Sequence, residues 1–177
     1  MTTIAVYFKK RNMKYPEAKS KFIQAWGGLG SSWGVNRTMA QIHALLLIAR
    51  EALSTEEIME ELKISRGNAN MNIRALIDWG LVEKELRQGE RKEYFVAGKD
   101  IWALAKQIAK ERKKRELEPI QKVLNQLNEL EGDSKDLIEF KKVTTDISEF
   151  ASQAETVLDL FSNSKSNWLY KVIGKMR

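Results

Sequence analysis

A polar segment from Ser65 to Gly80, SRGNANMNIRALIDWG, groups three asparagines with two arginines. Its apolar residues recur at helical spacing and predict one buried side, formed by Ala69, Ile73, Leu76 and Ile77. The other side carries groups that can bond to base edges or phosphates, and Gly67 would let a ligand approach the backbone closely. We therefore predict DNA contacts from Ser65, Arg66, Gly67, Asn68, Asn70, Met71 and Arg74. Asn72 falls nearer the buried side. An ordinary amphipathic surface helix is the alternative, although three asparagines are costly in one.

A second basic group lies at a predicted turn further along the chain. A period-two run, Leu81–Leu86, and a β-prone run, Glu93–Val96, flank the polar residues 87–92, which predicts a β-hairpin. Cations at such a tip can reach phosphates or an adjacent minor groove. The predicted contacts are Arg87, Gln88, Gly89, Arg91 and Lys92. A solvated turn with charged residues is the alternative.

Two short helices joined by a tight turn are predicted in front of this hairpin. Ser54 and Glu57 have the spacing of a capping box, which marks the start of a helix over 54–63. Ser65 caps the next helix, which is expected to stop at Gly80. A helix-turn-helix followed directly by a hairpin is the order of elements in a winged helix.

The predicted fold class is mainly α with a small β-hairpin wing, a winged helix-turn-helix followed by long C-terminal dimerisation helices. A first helix is expected after Pro16 and a second from Asn36, a good N-cap. We expect the first helix to break or kink at its glycines, Gly27, Gly28 and Gly30. The predicted division is an N-terminal arm and helix over 1–35, the winged helix over 36–98 and a helical dimerisation region over 99–177.

Helical periodicity continues to the end of the chain. A long helix is predicted from Asp100, with a kink at Pro119, and another is capped by Ser134. The last long helix repeats apolar or small residues at spacings of three and four: Leu137, Phe140, Thr144, Ile147, Ala151, Ala154, Leu158 and Phe161. Such a seam suits a helix hairpin or a coiled coil. A short helix is expected over 165–177.

Composition excludes several kinds of chemistry. The 177 residues include no cysteine and one histidine, so we expect no thiol nucleophile, metal site, cofactor or enzyme activity. We predict that His43 lies in the core or at its boundary rather than binding a ligand. The longest apolar run, Ala44–Ala49, is too short to cross a bilayer, and we expect a cytoplasmic protein.

The positive charge of the chain is unevenly distributed. The formal net charge is +6, and residues 1–53 carry 8 basic and 2 acidic side chains. Residues 54–98, which hold the predicted DNA contacts, carry 7 basic and 9 acidic side chains. Local placement of cations therefore argues for DNA more strongly than net charge does. The basic cluster from Lys9 to Lys21 is either a phosphate-tracking arm or a solvated one.

Four tryptophans lie near junctions between predicted elements: Trp26, Trp33, Trp79 and Trp102. Their rings could line a pocket for a cationic ligand through cation–π contacts. The alternative is that they are core anchors, since tryptophan is usually well buried.

Four separated segments carry a family resemblance: WGGLGSSWGVNRTMAQIHALLLI (26–48), SRGNANMNIRALIDWGLV (65–82), GERKEYF (89–95) and RKKRELEPI (112–120). Together they resemble the GbsR-type branch of the MarR-like winged-helix transcriptional regulators. The resemblance implies a homodimeric regulator that binds a palindromic operator through a recognition helix at 65–79 and a wing at 87–92, and we expect it to act as a repressor. Similar family members are associated with control of choline and glycine-betaine uptake or synthesis. We therefore expect an osmolyte-like effector such as choline or glycine betaine, although no effector-contacting positions carry over. A winged helix used for protein–protein docking, without specific DNA binding, is the alternative.

Overall fold

The computed structural model describes residues 13–127, 130, 132 and 134–164. Its elements are α1 Tyr15–Ser32, α2 Arg37–Ile48, β1 Leu53–Ser54, α3 Thr55–Leu62, α4 Arg66–Asp78, β2 Val82–Leu86, β3 Glu93–Ala97, α5 Ile101–Arg112, a π-helical turn Lys113–Leu117, α6 Glu118–Leu127 and α7 Lys135–Asn163. The chain divides into two compact units. The first unit comprises the residues up to Leu76 together with Lys84–Val96. The second unit comprises Ile77–Glu83 and the residues from Ala97 onwards. The predicted mainly helical class with a small sheet is confirmed.

The first unit is built around α2. As predicted, Asn36 caps this helix, because its side chain accepts hydrogen bonds from the backbone N–H groups of Thr38 at 2.9 Å and Met39 at 3.1 Å. The largest fully buried side chains of the unit come from α2, α3 and α4: Ile42, Leu45, Leu46, Ile58, Ile73 and Leu76. The helix-turn-helix thus rests on one continuous apolar core.

Helix α1 runs without interruption through Gly27, Gly28 and Gly30, so the predicted break is wrong. The reason is its packing against α2. A Cβ atom at Gly27 would lie 2.6 Å from Cγ of Gln41, and one at Gly30 would lie 2.5 Å from Cβ of Ala40. These two glycines let the helix backbones approach closely, and that packing offsets their low helix propensity, about 1 kcal/mol each.

A three-stranded sheet with the order β1-β3-β2 completes the first unit and continues into the second. The hairpin of β2 and β3 matches the predicted wing, whereas the two-residue strand β1 was not predicted. It pairs antiparallel with β3 in the register Leu53↔Phe95 and Ser54↔Tyr94. Ser54 is also the N-cap of α3 and forms the predicted capping box with Glu57. The wing is therefore tied to the start of the helix-turn-helix.

The second unit is a helical assembly in which α7 packs against α5 and α6. Lys113 Nζ lies 2.6 Å from Asp159 Oδ2, and Gln121 Nε2 donates to the carbonyl oxygen of Ser148 at 3.2 Å. Later residues of α7 thus meet earlier residues of the preceding segment, which makes the arrangement antiparallel. The predicted cap is confirmed, since Ser134 Oγ accepts from the N–H of Leu137 at 3.2 Å.

The predicted kink region contains a π-helical turn, Lys113–Leu117, immediately before α6. Pro119 has no backbone N–H, and in a regular helix its ring would meet the carbonyl of Arg115. The wider turn lets the chain stay helical through the proline.

Three predictions remain outside what is observed. The basic residues before Met13 and the helix expected over 165–177 lie outside the described residues. The division at 35 and 98 stays a prediction. Among the residues described, none of the helices has both the length and the apolar character needed to span a bilayer.

Candidate nucleic-acid interface

Helix α4 begins in the way the sequence predicts. Ser65 Oγ accepts a hydrogen bond from the backbone N–H of Asn68 at 3.3 Å, so this hydroxyl caps the helix. Ser65 is itself exposed, which leaves its O–H free to donate to an external acceptor such as a phosphate. The helix stops before Gly80, whose φ of +65° is the left-handed conformation of a helix C-terminus.

One exposed row runs along α4 and consists of Gly67, Met71 and Arg74. Their spacing of four and three residues places them one above another on the helix. Met71 is 60% exposed, unusual for an apolar side chain of its size. A Cβ atom at Gly67 would meet nothing within 4 Å, so no internal contact requires glycine there. The row offers a guanidinium, a methyl group and close backbone approach, which are means of reading a base pair in the major groove.

The buried side of α4 differs from the predicted set at Ile77, which is 37% exposed, whereas Ala69, Ile73 and Leu76 are buried as expected. Asn72, which the sequence places nearer this side, is only 3% exposed. At about 100° per residue the buried arc is thus turned towards Asn72. The reason is a hydrogen bond: Asn72 Nδ2 donates to the backbone oxygen of Asn68, which satisfies the buried amide within the helix.

Asn68 and Asn70 flank the exposed row and are half-buried. Asn72 Nδ2 also donates to Oδ1 of Asn68, at 2.7 Å. The predicted base contact at Asn68 therefore has an internal partner that the sequence argument missed. The available signal was the spacing of four residues between two amides on one helix.

Arg66, at the first position of α4, is already paired. Its Nη2 lies 2.8 Å from Oε1 of Glu56 in α3, and both side chains are largely exposed. A backbone hydrogen bond at Glu56, followed by the Arg66 guanidinium, lowers the pKa of the Glu56 carboxyl. The Glu56 carboxyl stays ionised at neutral pH, and a phosphate would have to compete with this carboxylate for Arg66.

The tip of the wing is open to solvent. Gly89 has a φ of +82°, which suits the turn, and the backbone N–H of Glu90 donates to the carbonyl oxygen of Arg87 at 3.1 Å. Gln88, Arg91 and Lys92 are exposed. Arg91 and Lys92 form no salt bridge with any residue the structure describes. Their charges are available to an external anion.

Arg87 begins the tip of the wing, but its side chain contacts internal partners instead of solvent alone. Its Nε donates to Oε1 of Glu85 at 3.1 Å, and its Nη2 lies 3.5 Å from the carbonyl oxygen of Ala52. The guanidinium stacks 3.9 Å from the ring centroid of Tyr94, whose hydroxyl donates to Glu90. These contacts tie the wing to the loop before β1, a role the sequence did not reveal.

The four tryptophans are divided between the units, with Trp26 and Trp33 in the first and Trp79 and Trp102 in the second. Trp26 lies 6.1 Å from the ring of His43, and the Arg115 guanidinium lies 5.3 Å from the Trp79 ring. These contacts are typical of packing residues, and a shared ligand pocket stays a prediction.

His43 lies in the core, as predicted, and is 3% exposed. Burial lowers the pKa of His43 to about 4, so the ring is neutral at pH 7. Its Nε2 has no hydrogen-bond partner among the described residues.

Comparison with known proteins agrees with this geometry. The model of the MarR family matches residues 33–93. The HTH-type transcriptional repressor GbsR of Bacillus subtilis is 29% identical over 70 residues, which are 40% of this chain and 38% of that protein. The HTH-type transcriptional regulator MmpR5 of Mycobacterium tuberculosis is 32% identical over 76 residues, 42% of this chain and 46% of that protein.

A solved structure described as a transcriptional regulator is similar in fold, with a TM-score of 0.59 over 83% of this chain and 99% of the other, at 19% identity. The chain spans less than half the length of the curated relatives it matches. The matched segment has the MarR winged-helix fold. In it, α3 and α4 are the two helices of the helix-turn-helix, and the β2–β3 hairpin follows them as the wing.

Proposed function

We propose that this chain is a homodimeric, sequence-specific DNA-binding regulator of transcription, acting as a repressor. The observation that carries the proposal is the exposed row of Gly67, Met71 and Arg74 on the helix that winged-helix proteins insert into the major groove. The wing adds two cations without internal salt bridges among the described residues, Arg91 and Lys92, for the flanking phosphates. The two named relatives, a repressor and a regulator, support the same conclusion.

The test begins with selection of a binding site from random duplex DNA, because the operator is unknown. Arg74→Ala is expected to weaken binding to the selected site by about 1–3 kcal/mol, the value of a good guanine contact, and to relax preference at one position of each half-site. Arg37→Ala is the matched control, since Arg37 is exposed on α2 and donates to Gln24 of α1 at 3.0 Å. Equal loss in both variants, or none in either, contradicts the assignment of α4.

Dimerisation is proposed through an apolar strip in the second unit. On α7, Val143, Phe150 and Val157 recur every seven residues, the spacing of a coiled-coil seam, and are 46%, 72% and 60% exposed. On α6, Ile120 and Val123 are 42% and 49% exposed. Because α6 and α7 are antiparallel, helical geometry places both sets on the same side of the pair. The occupant we propose for this strip is the same strip of a second copy.

Replacing Phe150 and Val157 with Glu is expected to give a monomer in sedimentation-velocity experiments while the circular dichroism spectrum stays helical. Ile138→Glu is the matched control, since Ile138 is 59% exposed but lies about 100–140° around α7 from the strip. A dimer that survives the double replacement contradicts this interface. A monomeric unmodified chain at micromolar concentration contradicts the dimer itself.

The GbsR-type assignment and its effector are proposed on narrower support. The four segments that resemble the GbsR-type branch, together with the 29% identical GbsR repressor, support membership of that branch. From the resemblance we propose an osmolyte-like ligand such as choline or glycine betaine. Thermal unfolding with and without each compound tests this, because a ligand that binds only the folded chain raises its Tm. Absence of a shift at millimolar concentrations of both compounds contradicts the effector proposal and leaves the DNA-binding proposal untouched.

A further inference from the structure

The exposed face of α4 is held in place by an amide that DNA cannot reach. Asn72 is 3% exposed, and its Nδ2 lies 2.8 Å from the backbone oxygen of Asn68 and 2.7 Å from Oδ1 of Asn68. One NH₂ group carries two hydrogens, so it can serve both oxygens at once. Asn72 thus binds Asn68 at two atoms, its backbone oxygen and its side-chain oxygen.

These contacts fix the orientation of both amides by elimination. A backbone carbonyl only accepts hydrogen bonds, so the Asn72 atom beside it must be the NH₂ nitrogen. The same nitrogen is a donor with no lone pair to offer, so the Asn68 atom facing it must be the oxygen. The remaining polar group of the Asn68 side chain, its own NH₂, is left for an external partner.

This orientation constrains the way in which Asn68 can read DNA. A bidentate contact to adenine requires the amide oxygen to accept from N6 while the nitrogen donates to N7. In this protein Asn72 occupies one of the two lone pairs of that oxygen, whereas no described residue accepts from the NH₂ group of Asn68. Asn68 lies in the first turn of α4, the part of a recognition helix that contacts base edges.

We propose that Asn72 is a positioning residue that makes Asn68 read the major groove mainly through its NH₂ donor. The operator position facing Asn68 then presents an acceptor, such as N7 or O6 of guanine or O4 of thymine, and disfavours cytosine, whose N4 group only donates. This inference rests on the proposed DNA binding and specifies one base contact within it.

Affinity profiles of the selected site, with each base replaced in turn, provide the test. The position whose preference disappears in Asn68→Ala is the Asn68 position. There the unmodified chain is expected to disfavour cytosine by about five- to tenfold, the low end for a base contact because only one bond forms. In Asn72→Ser the hydroxyl can still bond to the helix carbonyl four residues back, while the Asn68 amide is released. Discrimination is expected to fall below about twofold there, with the Arg74-dependent position unchanged.

Asn68→Asp provides the reciprocal variant. A carboxylate accepts from Asn72 as the amide oxygen does, but it presents a second oxygen to the groove. The order of preference at this position should therefore reverse, with cytosine becoming the favoured base.

The outcomes separate the two proposals. If selection yields no preferred sequence, the proposed DNA-binding function fails. If it yields one and Asn72→Ser keeps the unmodified profile, Asn72 is only structural and the inference is overturned. If circular dichroism shows that Asn72→Ser is unfolded, Asn68→Asp decides: reversal supports the inference, and a uniform loss of affinity overturns it.

Discussion

The ion pair between Arg66 and Glu56 makes the proposed DNA contact subject to competition within the protein. Their closest atoms are 2.8 Å apart, and both side chains are exposed enough to exchange partners. A phosphate that takes Arg66 must displace the Glu56 carboxylate. Replacing Glu56 with Gln removes that competitor and leaves the guanidinium free to neutralise a phosphate.

The expected effect can be expressed as a salt dependence. Each phosphate neutralised contributes about −0.9 to the slope of log K against log salt concentration. A dimer gains two such contacts, so the slope of the Glu56→Gln variant should be steeper by about 1.8. Between 50 and 200 mM salt the variant should lose about twelvefold more affinity than the unmodified chain.

Glu60→Gln is the matched control. Glu60 lies one turn further along α3, is exposed, and forms no salt bridge with any described residue. The Glu60→Gln replacement removes the same formal charge as Glu56→Gln but releases no cation. The slope of log K against log salt concentration for this variant should therefore match that of the unmodified chain. Fluorescence anisotropy with the selected duplex at several salt concentrations measures all three slopes. Equal slopes for the two variants would refute the competition argument.

Three further predictions concern stability. Gly30→Ala should destabilise the chain by about 1–3 kcal/mol in urea unfolding, because its Cβ would lie 2.5 Å from that of Ala40. A Cβ atom at Gly28 would meet nothing within 4 Å, so Gly28→Ala should stabilise the chain by up to about 1 kcal/mol. A change of the same sign in the free energy of unfolding of both variants would contradict the packing explanation. Burial lowers the pKa of His43, so protonation of its ring favours the unfolded chain. About 3 kcal/mol of the free energy of unfolding that is present above pH 6.5 should therefore be lost as the pH falls to about 4. His43→Leu should flatten that decline between pH 6.5 and 4, and a parallel decline in both proteins would show that other groups cause it.

Local signals of the sequence were sufficient for the helix ends. Asn36 and the capping box at Ser54 act through bonds to residues two or three positions away, so their effect can be read directly from the chain. The same holds for Gly80, whose conformation ends α4. The order of helix-turn-helix and hairpin follows from these signals.

Contacts between distant residues could not be read in the same way. Gly27 and Gly30 predict a break when α1 is considered alone, and only the close approach of α2 explains why the helix continues. The strand β1 has two residues and exists because β3 pairs with it. Arg87 was expected to offer its charge at the wing tip, but its side chain contacts Glu85 in β2, Tyr94 in β3 and the carbonyl oxygen of Ala52 before β1.

The predicted DNA-contact surface of α4 could likewise be read from the sequence only in part. Exposure of Met71 and Arg74 follows from helical periodicity. Periodicity alone placed Ile77 in the core, and it placed Asn72 nearer the buried side without identifying a partner for its amide. The bond from Asn72 to the backbone of Asn68 supplies that partner.

The π-helical turn has a consequence for the helical phase of the chain. A turn closed by a bond from the N–H of Glu118 to the carbonyl oxygen of Lys113 contains one residue more than an α-helical turn. Deleting Lys114 would restore a regular helix and leave the later residues of α6, with the buried Leu124, in their present orientation, because the wider turn absorbs the additional residue. The ring of Pro119 would then meet the carbonyl of Arg115. Lys114 is exposed, so its replacement by Ala should leave the thermal unfolding midpoint nearly unchanged, whereas its deletion should lower it. In this segment the additional residue accommodates the proline, while the identity of that exposed residue is not constrained.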